Sequence, residues 1–403
     1  MSMIRVGLVG AGFVGPAHVE ALRRLGYVEV VALAESDSKR ARQKADQLGI
    51  PEACGDYRML LANPRITVIH NATPNNMHFP INREALRAGK HVVSEKPLAL
   101  TAEEGRQLVD LARKTELVNA VDFIYRGYPL VRQMRAMVAA GVIGQVRVVH
   151  GSYLQDWLMY PTDYSWRILP ECGGASRALG DIGSHWCDLA QWVTGQRISR
   201  VMGRLATVLP SRFRPVAEVQ AFALAVEGRR EEIQVRTEDY ASVLVDLDGG
   251  ATGSFVVSQI SPGRRNRLWI EIDGSEASLA WDQDHPDELW IGHRGEPNQV
   301  LLRDPHLLDE EARHVSHLPA GHPEGWADAL HGLLAEIYQF IRDEKNPVQD
   351  RPPFPTFEAG LIENQVVEAI LESHRRGGWV DVPGVSPVGA LAEPSAAGGV
   401  AGA

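Results

Sequence analysis

The stretch IRVGLVGAGFVG, Ile4–Gly15, decides the fold of the first part of this chain. Its apolar start, Ile4–Val9, predicts a buried strand, and the residues near His18–Leu25 predict a helix. The glycine-rich turn between them has the pattern G-x-G-x-x-G. That pattern alone is weak, but a strand before it and a helix after it are the setting in which it binds a dinucleotide.

Three glycines give this turn its chemistry. Gly10 permits the tight turn, Gly12 lets the backbone approach a pyrophosphate at the positive end of the helix dipole, and Gly15 allows close packing of helix on strand. A glycine-rich turn without a ligand is the alternative interpretation. The expected cofactor contacts of the turn are Gly10, Gly12, Phe13, Val14 and Gly15.

An acidic residue ends the second predicted strand. Glu35 directly follows the apolar run Val28–Ala34, where a carboxylate can accept hydrogen bonds from ribose hydroxyls. Because a carboxylate there also repels a 2′-phosphate, NAD is favoured over NADP as the cofactor. Ser36, Lys39 and Arg40 follow closely and could hold a phosphate, so NADP stays possible.

Apolar runs alternate with helical stretches up to Asp122. The further predicted strands are Ile66–Ala72, His91–Ser94 and Leu117–Val121, and the helices are Ser38–Leu48, Ile81–Ala88 and one that begins at Thr101. This alternation predicts a parallel sheet with helices on both faces. We therefore expect residues 1–122 to form a Rossmann dinucleotide-binding domain of the α/β class.

The pattern changes from residue 123 onwards. A helix at Pro129–Ala140 is followed by runs in which apolar and polar residues alternate, as in an antiparallel sheet with one buried face. These predicted strands are Val146–Leu154, Ile198–Val208, Ala241–Leu247, Thr252–Gln259, Leu268–Ile272, Ala277–Trp281 and Glu288–Ile291. We expect a second α/β domain over 123–383 with a large, open, mainly antiparallel sheet.

Helices interrupt and end this second domain. They are predicted at Gly183–Val193, Trp326–Arg342 and 357–375, and the last of them could pack back on the first domain. The final residues, 384–403, are mostly Ala, Gly, Pro and Ser, which predicts a disordered tail.

Composition limits the classes of function. The chain has 403 residues, which suits two domains, and a net charge of −10, which argues against nucleic-acid or anionic-membrane partners. Its apolar runs are shorter than the roughly 18–20 residues of a membrane span. The three cysteines lack C-x-x-C spacing, so we expect reduced thiols in a cytoplasmic protein.

Two segments follow predicted strands at the sheet edge where open parallel sheets bind their ligands. Ala72–His78 (ATPNNMH) follows the third strand, and Glu95-Lys96-Pro97 follows the fourth. Lys96 is therefore expected in the cofactor cleft, with a solvated lysine as the alternative. The expected cofactor contacts from these segments are Thr73, Pro74, Asn75, His78, Glu95 and Lys96.

A third segment, Gly180–His185 (GDIGSH), lies in the second domain. Asp181 and His185 are four residues apart and would share one face of a helical turn, where a carboxylate can orient an imidazole and raise its basicity. A helix-capping aspartate and a buried, hydrogen-bonded histidine are the structural alternatives. Asp188 extends the same face, and we interpret it as structural.

Together, G-x-G-x-x-G, EKP at 95–97 and GDxxxH at 180–185 resemble the glucose–fructose oxidoreductase / inositol dehydrogenase (Gfo/Idh/MocA) family. The resemblance covers residues 4–375 and is strongest to members that oxidise glycosides. It implies a Rossmann domain and an α/β domain whose open sheet has one face at the active site and the other in a homodimer or homotetramer interface. It also implies Lys96, Asp181 and His185 as catalytic residues.

Alcohol oxidation assigns a role to each of these three residues. His185 would remove the hydroxyl proton, Asp181 would orient His185 and bind the substrate, and Lys96 would stabilise the developing alkoxide. Lys96 as the base itself is the alternative. Arg167 could pair with a cofactor phosphate or with a carboxylate.

A sugar-like substrate needs several polar groups and an aromatic platform. Candidates besides the catalytic residues are Tyr125, Arg126, Gln155, Asp156, Trp157 and Trp166. For the two tryptophans, plain packing is an equally good interpretation. Because no cluster demands an acidic or phosphorylated substrate, we expect a neutral sugar, glycoside, anhydrosugar or cyclitol.

The leading hypothesis is an NAD(P)-dependent oxidoreductase that oxidises a secondary hydroxyl by hydride transfer to nicotinamide. The alternatives are a glycosidase that uses tightly bound NAD for transient oxidation and a non-catalytic NAD-sensing regulator. Four histidines crowd an expected loop over 301–324, namely His306, His314, His317 and His322. Their spacing fits no closed metal site, so no metal is expected, and the loop could cover the cleft.

Overall fold

A six-stranded parallel sheet forms the first domain of the computed structural model, which describes residues 3–216 and 228–385. Its strands are β1 (Ile4–Val9), β2 (Val28–Ala34), β3 (Glu52–Cys54), β4 (Val68–Asn71), β5 (His91–Ser94) and β6 (Asn119–Val121). They lie in the order β3-β2-β1-β4-β5-β6, and all neighbours run parallel. The predicted Rossmann-type fold is confirmed. The sequence does not predict β3, because so short a strand shows no periodic pattern.

The helices of this domain are α1 (Val14–Arg24), α2 (Ser38–Leu48), α3 (Arg58–Ala62), α4 (His78–Arg87) and α5 (Ala102–Thr115). α1 begins inside the glycine-rich turn rather than near His18, since glycine and proline residues there hide the helical period. Side-chain caps begin two of the helices. Asp37 accepts a hydrogen bond from the N–H of Arg40, and Thr101 accepts one from the N–H of Glu104.

The second domain is built on a nine-stranded sheet. Its strands are β7 (Val146–Leu154), β8 (Ile198–Ala206), β11 (Tyr240–Leu247), β12 (Thr252–Ser258), β13 (Arg267–Gly274), β14 (Ser278–Asp282), β15 (Glu288–Gly292), β16 (Gln299–Leu302) and β17 (Val380–Asp381). Two further strands, β9 (Ser211–Pro215) and β10 (Arg230–Gln234), form a separate two-stranded sheet. The order is β16-β15-β14-β13-β7-β12-β11-β8-β17. The β7–β12 pair is parallel and the other pairs are antiparallel, which confirms a mainly antiparallel sheet.

Alternating burial along the strands decides which face of this sheet carries helices. Ile270 and Ile272 of β13 are buried, whereas their neighbours on the opposite face are half-exposed. Trp186 packs on the buried face, stacked on Phe255 with ring centres 4.4 Å apart, and donates its indole N–H to the carbonyl of Trp269. The helices of the domain are α6 (Pro129–Ala139), α7 (Pro170–Gly173), α8 (Ser184–Thr194), α9 (Glu310–His314), α10 (Trp326–Arg342) and α11 (Phe357–Arg376).

None of the helices in the described ranges is long and apolar enough to cross a membrane.

The end of the chain completes the first domain. Just before α11, the carbonyl of Pro355 accepts a hydrogen bond from the N–H of Val121 on β6 at 3.0 Å. The N–H of Phe357 donates to the side chain of Asn119 on the same strand at 2.9 Å. α11 then packs against α5 of the first domain and against β8 of the second. The last helix therefore contributes to both domains.

The expected loop over 301–324 contains regular structure. The first residues complete β16, and α9 lies in its middle. Arg303 and Glu324 form a buried ion pair with Nη1 and Oε1 3.0 Å apart. Glu324 also accepts the N–H of His317 at 2.8 Å, so a buried carboxylate fixes this segment. Most of the tail expected over 384–403 lies outside the described residues, which end at 385.

Candidate active site

The glycine-rich turn has the shape of a dinucleotide cradle. Gly10 has a φ of +86°, and a Cβ on it would lie 2.7 Å from the carbonyl oxygen of Ala72. A Cβ on Gly15 would lie 2.5 Å from the carbonyl oxygen of Gly10. A Cβ on Gly12 would meet no atom within 4 Å, so this position opens onto free space at the N-terminus of α1. The turn thus fits a pyrophosphate group.

Two further residues of the turn lie at the mouth of this cradle. Val14 is the first residue of α1. Phe13 is 53% exposed, and its ring centre lies 6.4 Å from that of Trp326 at the start of α10. The second domain therefore reaches the rim of the dinucleotide cradle through an aromatic contact.

Glu35 joins the end of β2 to the glycine-rich turn. Its Oε1 accepts the N–H of Ala11 at 2.6 Å, and its Oε2 lies 3.2 Å from Nε of Arg40. The carboxylate is thus held where the first and second strands end. It places an acceptor for ribose hydroxyls beside a guanidinium that can meet a phosphate.

The segment after β4 is fixed by hydrogen bonds within the protein. Thr73 donates to Oδ1 of Asn71 at 2.6 Å, and Asn75 donates to the carbonyl of Gly173 at 3.1 Å. The two ring nitrogens of His78 lie 2.6 Å from the carbonyl of Pro97 and 2.9 Å from that of Thr73. His78 therefore ties the two strand-end loops together, against our expectation of a direct cofactor contact, because its ring nitrogens are already engaged.

Lys96 and Asp181 form an ion pair between the two domains. Nζ of Lys96 donates to Oδ1 and to the main-chain carbonyl of Asp181, both at 2.8 Å. Arg167 donates to the same Oδ1 at 3.2 Å, and Gln259 donates to Oδ2 at 2.9 Å. Asp181 therefore binds two cations and an amide. Its carboxylate does not orient His185 as expected, because it is turned toward Lys96.

The turn that holds Asp181 is a π-helix, Leu179–Gly183, which leads directly into α8. Its wider turn shifts the side chains away from the regular i, i+4 register that the sequence pattern assumes. His185 follows in the first turn of α8 and is 6% exposed. Its Nδ1 is buried and meets no hydrogen-bond partner within the described part of the chain.

Aromatic rings surround His185. The ring centres of Phe123, Tyr125 and Tyr153 lie 5.9, 5.0 and 6.2 Å from that of His185. Burial and the nearby charge of Lys96 lower the pKa of His185 to about 3. The imidazole is therefore neutral at physiological pH and can accept a proton.

The carboxyl of Asp181 has the opposite character. Burial opposes its ionisation, but the charges of Lys96 and Arg167 outweigh this and hold its pKa well below the usual range. An ionised Asp181 thus lies beside a neutral His185. Such a separation of protonation states in one cleft is typical of sites that transfer protons.

A wall of uncharged polar groups adjoins these residues. The hydroxyl of Tyr125 lies 3.0 Å from Oε1 of Gln283 and within hydrogen-bond distance of the hydroxyl of Tyr153. Tyr153 donates to Asn266 at 2.8 Å, and Gln155 donates to the same oxygen at 2.6 Å. The chain of hydrogen bonds ends at Trp157, whose indole N–H donates to Gln155 at 2.7 Å.

Three residues expected at the substrate are engaged elsewhere in this structure. The guanidinium of Arg126 forms a bidentate ion pair with Asp188, whose carboxylate is buried. Arg126, which we expected at the substrate, thus faces a carboxylate in this structure. Asp156 accepts the N–H of Gly263 at 3.1 Å, and Trp166 lies under the guanidinium of Arg167, 4.5 Å from its carbon.

The sequence analysis missed three amides, Gln259, Asn266 and Gln283. Gln259 follows β12, Asn266 precedes β13 and Gln283 follows β14. The strand directions bring these ends to the same sheet edge as Gln155, which follows β7. Polar amides at the ends of apolar strands are the signal that could have found them. The sequence also gives no sign of a buried cluster around Glu95, which is described below.

Comparison with known proteins places the whole chain. A family model described as "Oxidoreductase family, NAD-binding Rossmann fold" matches residues 4–123, and one described as "GFO/IDH/MocA C-terminal domain" matches residues 131–280. Levoglucosan dehydrogenase of Pseudarthrobacter phenanthrenivorans is 30% identical over 404 residues, which is 96% of this chain and 100% of that protein.

Solved structures agree with these matches. Levoglucosan dehydrogenase in complex with NADH and levoglucosan superposes with a TM-score of 0.84 at 28% identity, over 95% of this chain and 100% of that one. An inositol dehydrogenase homologue from Azotobacter vinelandii, in complex with NADH and myo-inositol, gives a TM-score of 0.81 at 32% identity, over 94% and 98% of the two chains. The chain therefore belongs to the Gfo/Idh/MocA family of NAD-dependent oxidoreductases.

Proposed function

We propose that the protein oxidises a secondary hydroxyl group of a neutral sugar, glycoside, anhydrosugar or cyclitol, with transfer of hydride to NAD. The observation that carries the proposal is a neutral, buried His185 beside the Lys96–Asp181 ion pair, at the edge where the parallel strands end. An oxidation of an alcohol needs both a base and a cation at the reacting oxygen, and this cleft holds both. One relative named above is a levoglucosan dehydrogenase and another is an inositol dehydrogenase homologue with myo-inositol bound, which supports this substrate class.

The protein residues divide the work of the reaction. His185 accepts the hydroxyl proton of the substrate, because its imidazole is neutral and lies beside the Lys96–Asp181 ion pair. The ammonium of Lys96 stabilises the charge that develops on the same oxygen. Asp181 holds that ammonium in place, with Oδ1 2.8 Å from Nζ of Lys96.

The cofactor's part is limited to accepting the hydride on its nicotinamide ring. Residues of the glycine-rich turn and Glu35 would hold its pyrophosphate and adenosine ribose. Glu35 disfavours a 2′-phosphate by charge, whereas Arg40 beside it favours one. Because the carboxylate also accepts the N–H of Ala11, it is part of the cradle itself, and we propose NAD rather than NADP.

The substrate preference follows from the chemistry of the polar wall. Tyr125, Tyr153, Gln155, Asn266 and Gln283 carry no charge and offer both donors and acceptors. The nearby guanidinium groups of Arg126 and Arg167 already face Asp188 and Asp181. A polyhydroxylated neutral compound therefore suits the cleft better than an acid or a phosphate ester.

We also propose a homodimer or homotetramer that uses the outer face of the nine-stranded sheet. Met202 of β8 and Leu244 of β11 are directly paired across the strands there, and they are 38% and 48% exposed. Two large apolar side chains side by side on a flat sheet favour association with another copy of the chain.

Replacing Lys96 or His185 by Ala should lower turnover by about 10²–10⁴-fold and leave NAD binding in place, because each acts on the reacting hydroxyl. The measurement is NADH formation with levoglucosan, glucose, simple glucosides and inositols, beside calorimetric titration with NAD. K114A, at an exposed position in the last turn of α5, is the matched control and should behave like the native chain. Near-native turnover of K96A or H185A would refute the assignment.

The same panel separates the alternative functions. Glycosidic cleavage without net NADH would identify the redox-assisted glycosidase. NAD binding with neither turnover nor cleavage on any compound would instead favour the regulator.

His185 should stay neutral well below the pH at which a free histidine becomes protonated. Burial lowers its pKa from 6.5 to about 3, so its protonated form appears only in strong acid. Below pH 6.5 the unfolded form of His185 binds a proton and the folded form does not. The free energy of unfolding therefore decreases further as the pH falls below 6.5. NMR of ring-labelled histidine should show no titration of His185 between pH 8 and about 5; a midpoint near 6.5 would contradict the assigned environment.

Glu35→Ser should raise the use of NADP relative to NAD by about tenfold or more, because it removes the charge that repels a 2′-phosphate. Adding Arg40→Ala should cancel that gain, since the guanidinium is the group left to meet the phosphate. The measurement is the ratio of kcat/KM for the two cofactors. An unchanged ratio in Glu35→Ser would place the ribose away from this carboxylate.

Leu244→Asp should weaken self-association, because a carboxylate would be buried in the proposed contact. Light scattering should give a smaller molar mass than for the native chain. Leu307→Asp, at a side chain 65% exposed outside the sheet, is the control and should leave the mass unchanged. A native chain that is already monomeric would refute the proposed assembly.

A further inference from the structure

A buried charged cluster lies behind the Lys96 loop. His18 of α1 is 1% exposed, and its Nε2 lies 3.0 Å from Oε1 of Glu95 and 3.4 Å from Oδ2 of Asp122. One ring nitrogen of His18 and one carboxylate oxygen from each of Glu95 and Asp122 all lie within 4.8 Å of one another. Glu95 precedes Lys96 directly, so the cluster touches the segment that carries the catalytic lysine.

The other ring nitrogen of His18 continues the cluster into a chain of hydrogen bonds. Its Nδ1 lies 2.8 Å from Nδ1 of His70 on β4, and Nε2 of His70 lies 2.8 Å from the hydroxyl of Tyr338 on α10. One of the two facing Nδ1 atoms must carry a hydrogen and the other must accept it. Since His18 faces two carboxylates, it is the residue that bears both hydrogens, and His70 accepts.

The charges around His18 agree with this assignment. Burial opposes a charged His18, but hydrogen bonds and attraction from Asp122 and Glu95 outweigh it and raise its pKa to about 9. Burial also disfavours an ionised Glu95, but His18 and Lys96 lower its pKa to about 2. Burial and the neighbouring Glu95 raise the pKa of Asp122 to about 6, and its Oδ1 meets no partner among the described residues.

We propose that His18 is a positioning residue: a resident imidazolium that bridges Glu95 and Asp122 and thereby holds the Lys96 loop against the cofactor-binding helix α1. Without that cation, two carboxylates would share a buried site, which costs free energy unless one of them binds a proton. Repulsion would act on Glu95 and, through the chain, on the neighbouring Lys96. The part of this inference that concerns turnover rests on the proposed dehydrogenase activity.

The titratable and charged groups that face this cluster come from several elements. They are Glu95 and Lys96 after β5, Asp122 after β6, His70 on β4, Tyr338 on α10 and, beyond Glu95, His185 on α8. Burial and the charge of His18 keep the pKa of His70 well below its usual value. His70 is therefore neutral, and His18 carries the positive charge of this chain of hydrogen bonds.

The first test needs no substrate. NMR of ring-labelled histidine in the cofactor-free protein should show His18 as an imidazolium at pH 7.5 and its loss only near pH 9, whereas a neutral His18 would overturn the proposal. Because the pKa of His18 is raised in the folded protein, its charged form stabilises the fold fully below pH 6.5. This contribution is lost as the pH rises through about 9. A metal ion bound stoichiometrically to the purified protein at this cluster would overturn it as well.

The second test uses the neutral variant His18→Gln, which keeps an amide donor for Glu95. It should lower kcat by about 10- to 100-fold through misplacement of Lys96, with little change in the Kd of NAD. Its pH profile of kcat should gain an ionisation from the carboxylate pair. His18→Gln/Asp122→Asn should lose that ionisation and recover turnover, because only one carboxylate is left to balance.

A purely structural role for His18 gives a different pattern. In that case Asp122→Asn would not rescue His18→Gln, and no new ionisation would enter the profile, which would refute the proposal. His91→Gln replaces a half-buried histidine of the same sheet, whose Nδ1 accepts the N–H of Val118, and should leave the shape of the profile unchanged. If His18→Gln fails to fold, the NMR measurement on the native chain decides the question.

Discussion

The ion pair between Lys96 and Asp181 is the constraint on which the rest of the structure depends, because its two members come from different domains. Lys96 lies at the end of the parallel sheet, and Asp181 lies in the π-helical turn before α8. Two charged side chains that are largely buried cost free energy unless each meets an opposite charge and further hydrogen bonds. Arg167 and Gln259 supply these for Asp181. The relative position of the two domains is thereby fixed where cofactor and substrate have to meet.

The surroundings of this ion pair are rigid for a related reason. His78 links the loops after β4 and β5 through the carbonyls of Thr73 and Pro97, so the loop that carries Lys96 is held by main-chain contacts as well as by charge. On the other side, aromatic rings surround His185, and burial keeps its imidazole neutral. The cleft thus places a neutral imidazole beside the Lys96–Asp181 ion pair.

The sequence predicts those strands, helices and turns whose pattern depends on residues close together in the chain. The glycine-rich turn, most strands of both sheets and the helix at Trp326–Arg342 follow from periodicity, because burial of one face leaves a regular pattern. The partners of buried polar groups do not. The i, i+4 spacing of Asp181 and His185 is misleading, since the π-helical turn changes the register. His18, Asp122 and Tyr338 are far apart in the chain, and no motif connects them before the fold does.

The hydrogen bonds of Pro355 and Phe357 to β6 have a consequence for the order in which the molecule can be completed. The outer edge of the parallel sheet is covered by residues that the ribosome adds long after β6. Until then, the first domain has its nucleotide turn and its strands but an open edge on β6. An open strand edge is a template for pairing with other chains. A nascent chain, or one that ends before α11, would therefore expose a surface that the finished protein never shows.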